Sequence, residues 1–336
     1  MLEVKNSPLT FVTGCAINRD MYYIACSPDA WRESEDTPYT IMCFYQHQRH
    51  EKWFYHELPA ARVVSVAYPP VPDGQLRKAY ALSDQGTIEC YSREGSTFER
   101  VRAIYSDEDV DYLYKLRSIG DEFYVCGTKG HIYKKGSAGW VAFDDGIRQF
   151  DDASSTPPPL EDSNALLKYF TESMKSSLDL VDINGRDNSV IYAVGNDGFI
   201  AHHDGASWHK HKKLTSAGLN AIHVDDTDEA IVVGASGTVL KGSAKSGFSV
   251  VSRKELTTDF YSITSFNGAI YIGAGDGLYE VENGTPKRMK ISDTADLEQV
   301  NQVESIDGVL WVLSEKKLLR YDGKRWEEFE HPNNLA

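Results

Sequence analysis

Basic residues are scarce in this chain. Thirty-five Lys and Arg stand against 50 Asp and Glu, which leaves a formal charge of −15. That deficit excludes a surface built to grip phosphates, because nucleic-acid affinity rests on neutralising the backbone charge. Cysteine is also sparse. Cys15, Cys26, Cys43, Cys90 and Cys126 make an odd count of five with no CxxC spacing, which argues against a disulfide framework and against structural zinc. Long apolar runs are missing too: none approaches the roughly 18 residues of a membrane span. The N-terminal stretch MLEVKNSPLTFVTG carries acidic and polar residues where a secretory leader would be apolar, so the expectation is a cytoplasmic chain without a membrane partner.

What the chain does have is a repeated phrase: an apolar run, a turn ending in Gly, a short strand, a second turn, then an aromatic-led strand. It reads VIYAVGNDGFIAHHDGASWHKH (190–211), AIVVGASGTVLKGSAKSGFSVV (230–251), AIYIGAGDGLYEVENGTPKRMK (269–290) and VLWVLSEKKLLRYDGKRWEEFE (309–330). At the first turn, Gly198, Gly237, Gly277 and Lys316 follow one another at steps of 39, 40 and 39 residues. Such a period matches the ~40 to 50 residues of a four-stranded propeller blade. Upstream, FYVCGTKGHIYKKGSAGWVAF (123–143) and AYALSDQGTIECYSREGSTFERV (79–101) repeat the phrase, with Gly86 and Gly130 44 residues apart. The longer step from Gly130 to Gly198 is accounted for by an insertion.

A further strand precedes each copy: RVVSVAYPP, YLYKLRSIG, LDLVDING, NAIHVDD, YSITSFNG and QVESIDG. The N-terminal stretch LTFVTGCAI, MYYIACS, TIMCFYQ and KWFYHEL supplies a degenerate seventh unit. With strands named a to d in each unit, the expected fold is all-β. It is one domain over residues 1–336, a seven-bladed propeller of four-stranded antiparallel blades, with a helix-containing insertion at 144–176 between blades 3 and 4. Strand b carries β-branched and aromatic residues because neighbouring blades cover both its faces. The large aromatics Trp140, Trp208, Phe248 and Trp326 open strand d, where the gap between blades widens. Apolar content of 41% suffices for a continuous core between blades.

The phrases VGNDGFIAHHDGASWHKH and GLYEVENG resemble the bacterial propeller repeats of sialidase-like, photosystem-assembly-factor-like and two-component-sensor propellers. The resemblance implies architecture over almost the whole chain and no particular activity. Asp204-Gly205-Ala206-Ser207-Trp208 is one residue too short for the sialidase Asp-box, no Arg triad can be carried over, and no Trp-Asp pair occurs.

In a propeller, the d-to-a and b-to-c connections emerge on one face. That face is expected to collect Asp84, Asp107, Glu108, Asp109, Asp111, Asp144, Asp145, Asp151, Asp152, Glu161, Asp162, Asp197, Asp259, Asp276, Asp293, Asp296 and Glu298, a negative surface suited to a basic partner. The insertion should project over the same face. It reads as an acidic stretch, a three-proline spacer and a short helix capped by Ser163, with Leu166, Leu167, Phe170 and Met174 on one stripe. Phe150, Phe170 and Met174 are the expected apolar anchors beside the acids. Among chemistry-bearing groups, His202, His203, His209 and His211 invite a metal reading. Their place on outer strands beside Lys210, Lys212 and Lys213 argues against a bound cation, and no metal or cofactor is expected.

Strand a offers mainly apolar and hydroxyl residues, and no convergent catalytic set is recognisable. The functional expectation is therefore a non-catalytic, monomeric protein-binding scaffold. Immunity proteins that neutralise a cognate toxin with an acidic surface are one known use of such scaffolds. The alternative is an enzyme or a small-molecule, sugar-type binder using the central channel.

Overall fold

A computed structural model describes residues 6–31, 37–71, 75–101, 112–147, 177–251, 256–282, 284–291 and 297–335. Seven four-stranded antiparallel sheets are present, and each is built from four strands consecutive in sequence. The innermost strands a are Leu9–Asn18, Val63–Ala67, Leu113–Ile119, Leu180–Asp187, Leu219–Val224, Phe260–Phe266 and Val300–Ile306. Each touches strand a of the next blade, and the last touches the first, so they enclose a channel. The seven-bladed propeller read from the repeat period is the observed architecture. Among the described residues helix is limited to single 3-10 turns such as Thr128–Gly130 and Asn196–Gly198. The insertion, with its expected helix, lies outside the described residues apart from its first stem.

Burial follows position in the blade. Strand b of blade 7, Val309–Ser314, is buried along its whole length, while strand d of blade 2, Gly95–Arg100, has no buried residue. The reason is geometric: blades touch near the axis and splay outward. Their cores are accordingly shared between neighbours. Leu219, Ile222 and Val232 of blade 5 pack with Tyr192, Val194 and Ile200 of blade 4. Trp208 opens strand d of blade 4 and fills the gap to blade 3, its indole Nε1 donating to Phe143 O at 2.8 Å.

The b-to-c turns of blades 3, 4 and 5 place two successive residues at positive φ, the mirror-image hairpin whose twist matches its strands. Lys129-Gly130, Asp197-Gly198 and Ser236-Gly237 supply them. At Gly198 no other residue fits, because a Cβ would lie 2.0 Å from Thr215 O.

Blade 1 opens with its own strand a, and blade 7 ends with its own strand d, Trp326–Glu330. Among the described residues no strand is exchanged to close the ring. Phe11 N donates to Glu315 O at 2.7 Å across the seam, and side chains add the rest. Asn334, in the 3-10 turn Pro332–Asn334, accepts from Leu9 N at 2.7 Å and donates to Leu9 O at 3.0 Å, and Asn333 Nδ2 donates to Ser7 O at 3.0 Å. Trp311 sits in one core with Tyr22 and Tyr45 of blade 1.

Candidate functional site

Every strand a begins with the same irregularity. One residue bulges from the a-to-b ladder, and the seven bulged residues are Val12, Val64, Tyr114, Val181, Asn220, Tyr261 and Asn301. A bulged residue has no ladder partner and re-aims its side chain. All seven line a single cavity of about 420 Å³ at the d-to-a end of the channel, together with Thr13, Lys115, Gln299 and Gln302. A second cavity of about 350 Å³ fills the a-to-b end, bordered by Cys15, Tyr68, Arg117, Ser118 and Glu304. Lys115 and Gln302 line both cavities.

Charged side chains meet between the two cavities. Arg117 Nε and Nη2 donate to Asp182 Oδ1 and Oδ2 at 3.1 and 3.0 Å. The same carboxylate accepts from Ile183 N and Ile222 N, each at 3.0 Å. Asp182 therefore ties strands a of blades 3, 4 and 5 together, and its lone pairs are spent. Glu304 Oε2 accepts from Ala16 N at 2.5 Å, and its Oε1 accepts from Gln302 Nε2 at 3.0 Å. Burial pushes the Glu304 carboxyl up, against the opposing pull of the Ala16 amide and Arg117. Burial and then Arg117 push the Lys115 ammonium down, while Asp182 and Glu304 act in the other direction. Lys115 forms no hydrogen bond or ion pair with any described residue. On blade 5, burial and then Arg117 lower His223, and its Nε2 is buried without a hydrogen-bond partner among the described residues.

The expectation that strand a carries mainly apolar and hydroxyl residues needs correction at this level. Blades 3, 4, 5 and 7 bring Lys115, Arg117, Asp182, His223 and Glu304 to the axis. Alternation along YLYKLRSIG was the available signal, since Lys115 and Arg117 stand two residues apart and so share a face.

Of the residues expected to contact a partner, Asp144 and Asp145 fall within the described residues. Asp145 is exposed. Asp144 is 4% exposed and pairs through Oδ2 with His131 Nδ1 at 3.1 Å, so its carboxylate faces the blade and anchors the stem of the insertion. Ile147, fully buried, donates its amide to Asp144 O at 2.9 Å, and on the returning side Gly130 N donates to Leu178 O at 2.6 Å. Both stems thus dock on blade 3 at the d-to-a end. Asp107, Glu108, Asp109, Asp111, Phe150, Asp151, Asp152, Phe170 and Met174 lie outside the described residues. Elsewhere in these connections, Asp259 Oδ1 accepts from Ser236 N at 2.8 Å, and Asp276 accepts from Thr258 Oγ1 at 2.7 Å and from the Tyr279 hydroxyl at 2.9 Å. Several of the acids therefore shape loops as well as charging them.

The His cluster on blade 4 is organised in pairs. His202 Nδ1 and His211 Nε2 share one hydrogen bond of 2.9 Å, and His209 Nε2 bonds Asp204 Oδ2 at 2.8 Å. Burial and then the neighbouring His202 and His209 depress His211 to about 4. Among the described residues no three His, Cys, Asp or Glu side chains converge as a metal would require.

No protein-family model matches the chain. It is 26% identical over 207 residues, 62% of its length, to the immune protein Tsi7 of Pseudomonas aeruginosa. That match spans 60% of the Pseudomonas protein. Among solved structures, virginiamycin B lyase from Staphylococcus aureus, in a catalytically inactive form with quinupristin, superposes with a TM-score of 0.63 at 11% identity, covering 92% of this chain and 93% of the lyase. YCF48 bound to D1 peptide superposes at 0.59 and 11% identity, covering 94% of both chains. The WD40 propeller domain of Doa1 gives 0.60 at 12%, covering 98% of this chain and 95% of that domain. At such identities these likenesses establish the propeller fold.

Proposed function

We propose that this protein is a non-catalytic, cytoplasmic immunity protein that neutralises a toxin by binding it on the face formed by the d-to-a and b-to-c connections. The observation that carries this reading is the similarity to the immune protein Tsi7 over 62% of the chain. The charge of −15 and the acids in these connections favour a toxin with a basic surface, attracted and oriented by the field before docking. Both stems of the 144–176 insertion dock at that same end of the channel, which supports a contact on that face. A propeller of this fold in complex with a peptide, YCF48 with D1, is a precedent for protein recognition by the scaffold.

Recovery of the partner by pull-down from the native host tests the reading, followed by growth assays of cells producing that partner with and without this chain. Rescue of growth is the expected result. In binding kinetics, reversal of Asp107, Glu108, Asp109 and Asp111 to Lys should slow association at about 50 mM salt and flatten its dependence on salt up to about 200 mM. Loss of residues 144–176 should chiefly speed dissociation. A partner that leaves growth unimpaired, or whose binding ignores both changes, defeats the proposal.

A further inference from the structure

The chamber lined by the seven bulged residues has two unlike halves. Blades 1 to 4 contribute Val12, Val64, Tyr114 and Val181, an apolar and aromatic arc, whereas blades 5 to 7 contribute Asn220, Tyr261 and Asn301. Asn220 Nδ2 is committed to Phe260 O at 2.8 Å, and Asn301 Nδ2 to Phe11 O at 2.7 Å. What the polar arc leaves uncommitted is the Asn220 amide oxygen and the Tyr261 hydroxyl, since Asn301 Oδ1 accepts from Gln299 Nε2 at 2.8 Å. Beneath both arcs stands Lys115.

Lys115 is half-buried in the channel wall. Neither neighbouring carboxylate is hydrogen-bonded to it. Arg117 monopolises Asp182, and Glu304 is held by Ala16 N and Gln302 Nε2. Lys115 lines both cavities and is bonded to no described carboxylate, so an anion entering the chamber meets a cation that is not already engaged. The chamber's volume of about 420 Å³ falls within the roughly 300 to 1,000 Å³ typical of small-molecule sites.

We infer that this chamber is a binding site for a small organic carboxylate, its charge on the Lys115 ammonium, its apolar body along Val12, Val64 and Val181, and a hydrogen-bond donor turned to Asn220 and Tyr261. The site goes beyond toxin neutralisation and does not rest on it. The carboxylate comes either from a free metabolite or from an acidic side chain that a bound protein inserts into the channel mouth.

The test uses the whole chain and three probes, followed by NMR titration at constant ionic strength. 4-Hydroxybenzoate is the free carboxylate, 4-hydroxybenzamide its uncharged counterpart, and acetyl-Gly-Asp-Gly-amide the side-chain source. The acid should bind with an affinity on the order of millimolar and about tenfold more tightly than the amide. In Lys115→Met, which keeps the apolar stem and sheds the charge, that preference should vanish. In Val181→Trp, which narrows the chamber without touching Lys115, binding of acid and amide should both fall. Binding of 4-hydroxybenzoate alone assigns the site to a metabolite, and binding of the peptide alone assigns it to a partner's carboxylate. Equal affinity for acid and amide in the unmodified protein, undiminished acid binding by Lys115→Met, or no response to either carboxylate overturns the inference.

Discussion

The seam between blades 7 and 1 and the seam between blades 5 and 6 solve one geometric problem with different means. They share a device: Asn301 Nδ2 reaches Phe11 O just as Asn220 Nδ2 reaches Phe260 O, at 2.7 and 2.8 Å. At the 5–6 seam this tie is joined by Ser236 N to Asp259 Oδ1 at 2.8 Å and by an apolar cluster of Val233, Val239, Ile272, Phe260 and Tyr279. At the 7–1 seam the device is reinforced. Lys316 Nζ bonds Asp29 Oδ2 at 2.6 Å and Thr10 Oγ1 at 3.1 Å, Trp311 Nε1 donates to Asn18 O at 3.1 Å, and the apolar contact is carried by Trp311, Tyr22, Tyr45 and Phe329. Neighbouring blades inside the chain are held at high effective concentration by a short connection. The first and last blades have no such tether, and a tryptophan-centred core, the Lys316 bonds and a C-terminal clamp replace it.

That comparison can be broken where it is strongest. Trp311, fully buried in blade 7, occupies the position that Tyr271 holds in blade 6. Trp311→Ala should cost about 3 to 5 kcal/mol in urea unfolding, with limited proteolysis cutting first at blades 1 and 7. A smaller loss than for Tyr271→Ala would show that the terminal seam is not the weak point of the ring. Next in size is the clamp. Asn334 bonds Leu9 N, Leu9 O and Lys316 O, and Asn334→Ala should lower stability by about 1 to 3 kcal/mol. Asn220→Ala, which removes one tie between blades already joined in sequence, should cost about 1 kcal/mol in the same assay.

The smallest effect separates both seams from the outer strands of blade 4. His211, packed against Phe248 at 5.0 Å and bonded to His202, is depressed to about 4 in the folded chain. The unfolded chain, near 6.5, therefore binds the extra proton first as the pH falls. Stability present above pH 6.5 declines as the pH drops toward 4 and declines no further from this group below that. Because the imidazole is half exposed, solvent screening limits the effect to about 1 kcal/mol. Unfolding midpoints at pH 7 and pH 5 should draw closer together in His211→Leu than in the unmodified chain.

Much of the fold was legible because a blade is a local object. The 39- and 40-residue steps between turn positions, the apolar b strands and the Asp-Gly and Asn-Gly turns each report on hydrogen bonds made within some 50 residues. Even the degenerate first blade could be divided into its four strands. The candidate site was less legible. Acidic loops could be assigned to one face from strand order alone, but that Asp144 turns inward to His131 depends on a pairing 13 residues apart that no pattern marks. The channel was missed for a stronger reason. Lys115 and Arg117 of blade 3, Asp182 of blade 4 and Glu304 of blade 7 come from separate repeats, and only the circular arrangement brings the three blades' charges together.

By itself, then, the order of residues determined how many blades there are, where each strand lies and which side chains each sheet buries, because these follow from periodicity and local hydrogen bonding. The tertiary structure alone decided how the ring closes without an exchanged strand and which charges meet on its axis. Both outcomes rest on contacts between residues up to about 325 positions apart, as with Leu9 and Asn334. Contacts of that range exist only once seven copies of a local unit have been bent into a circle.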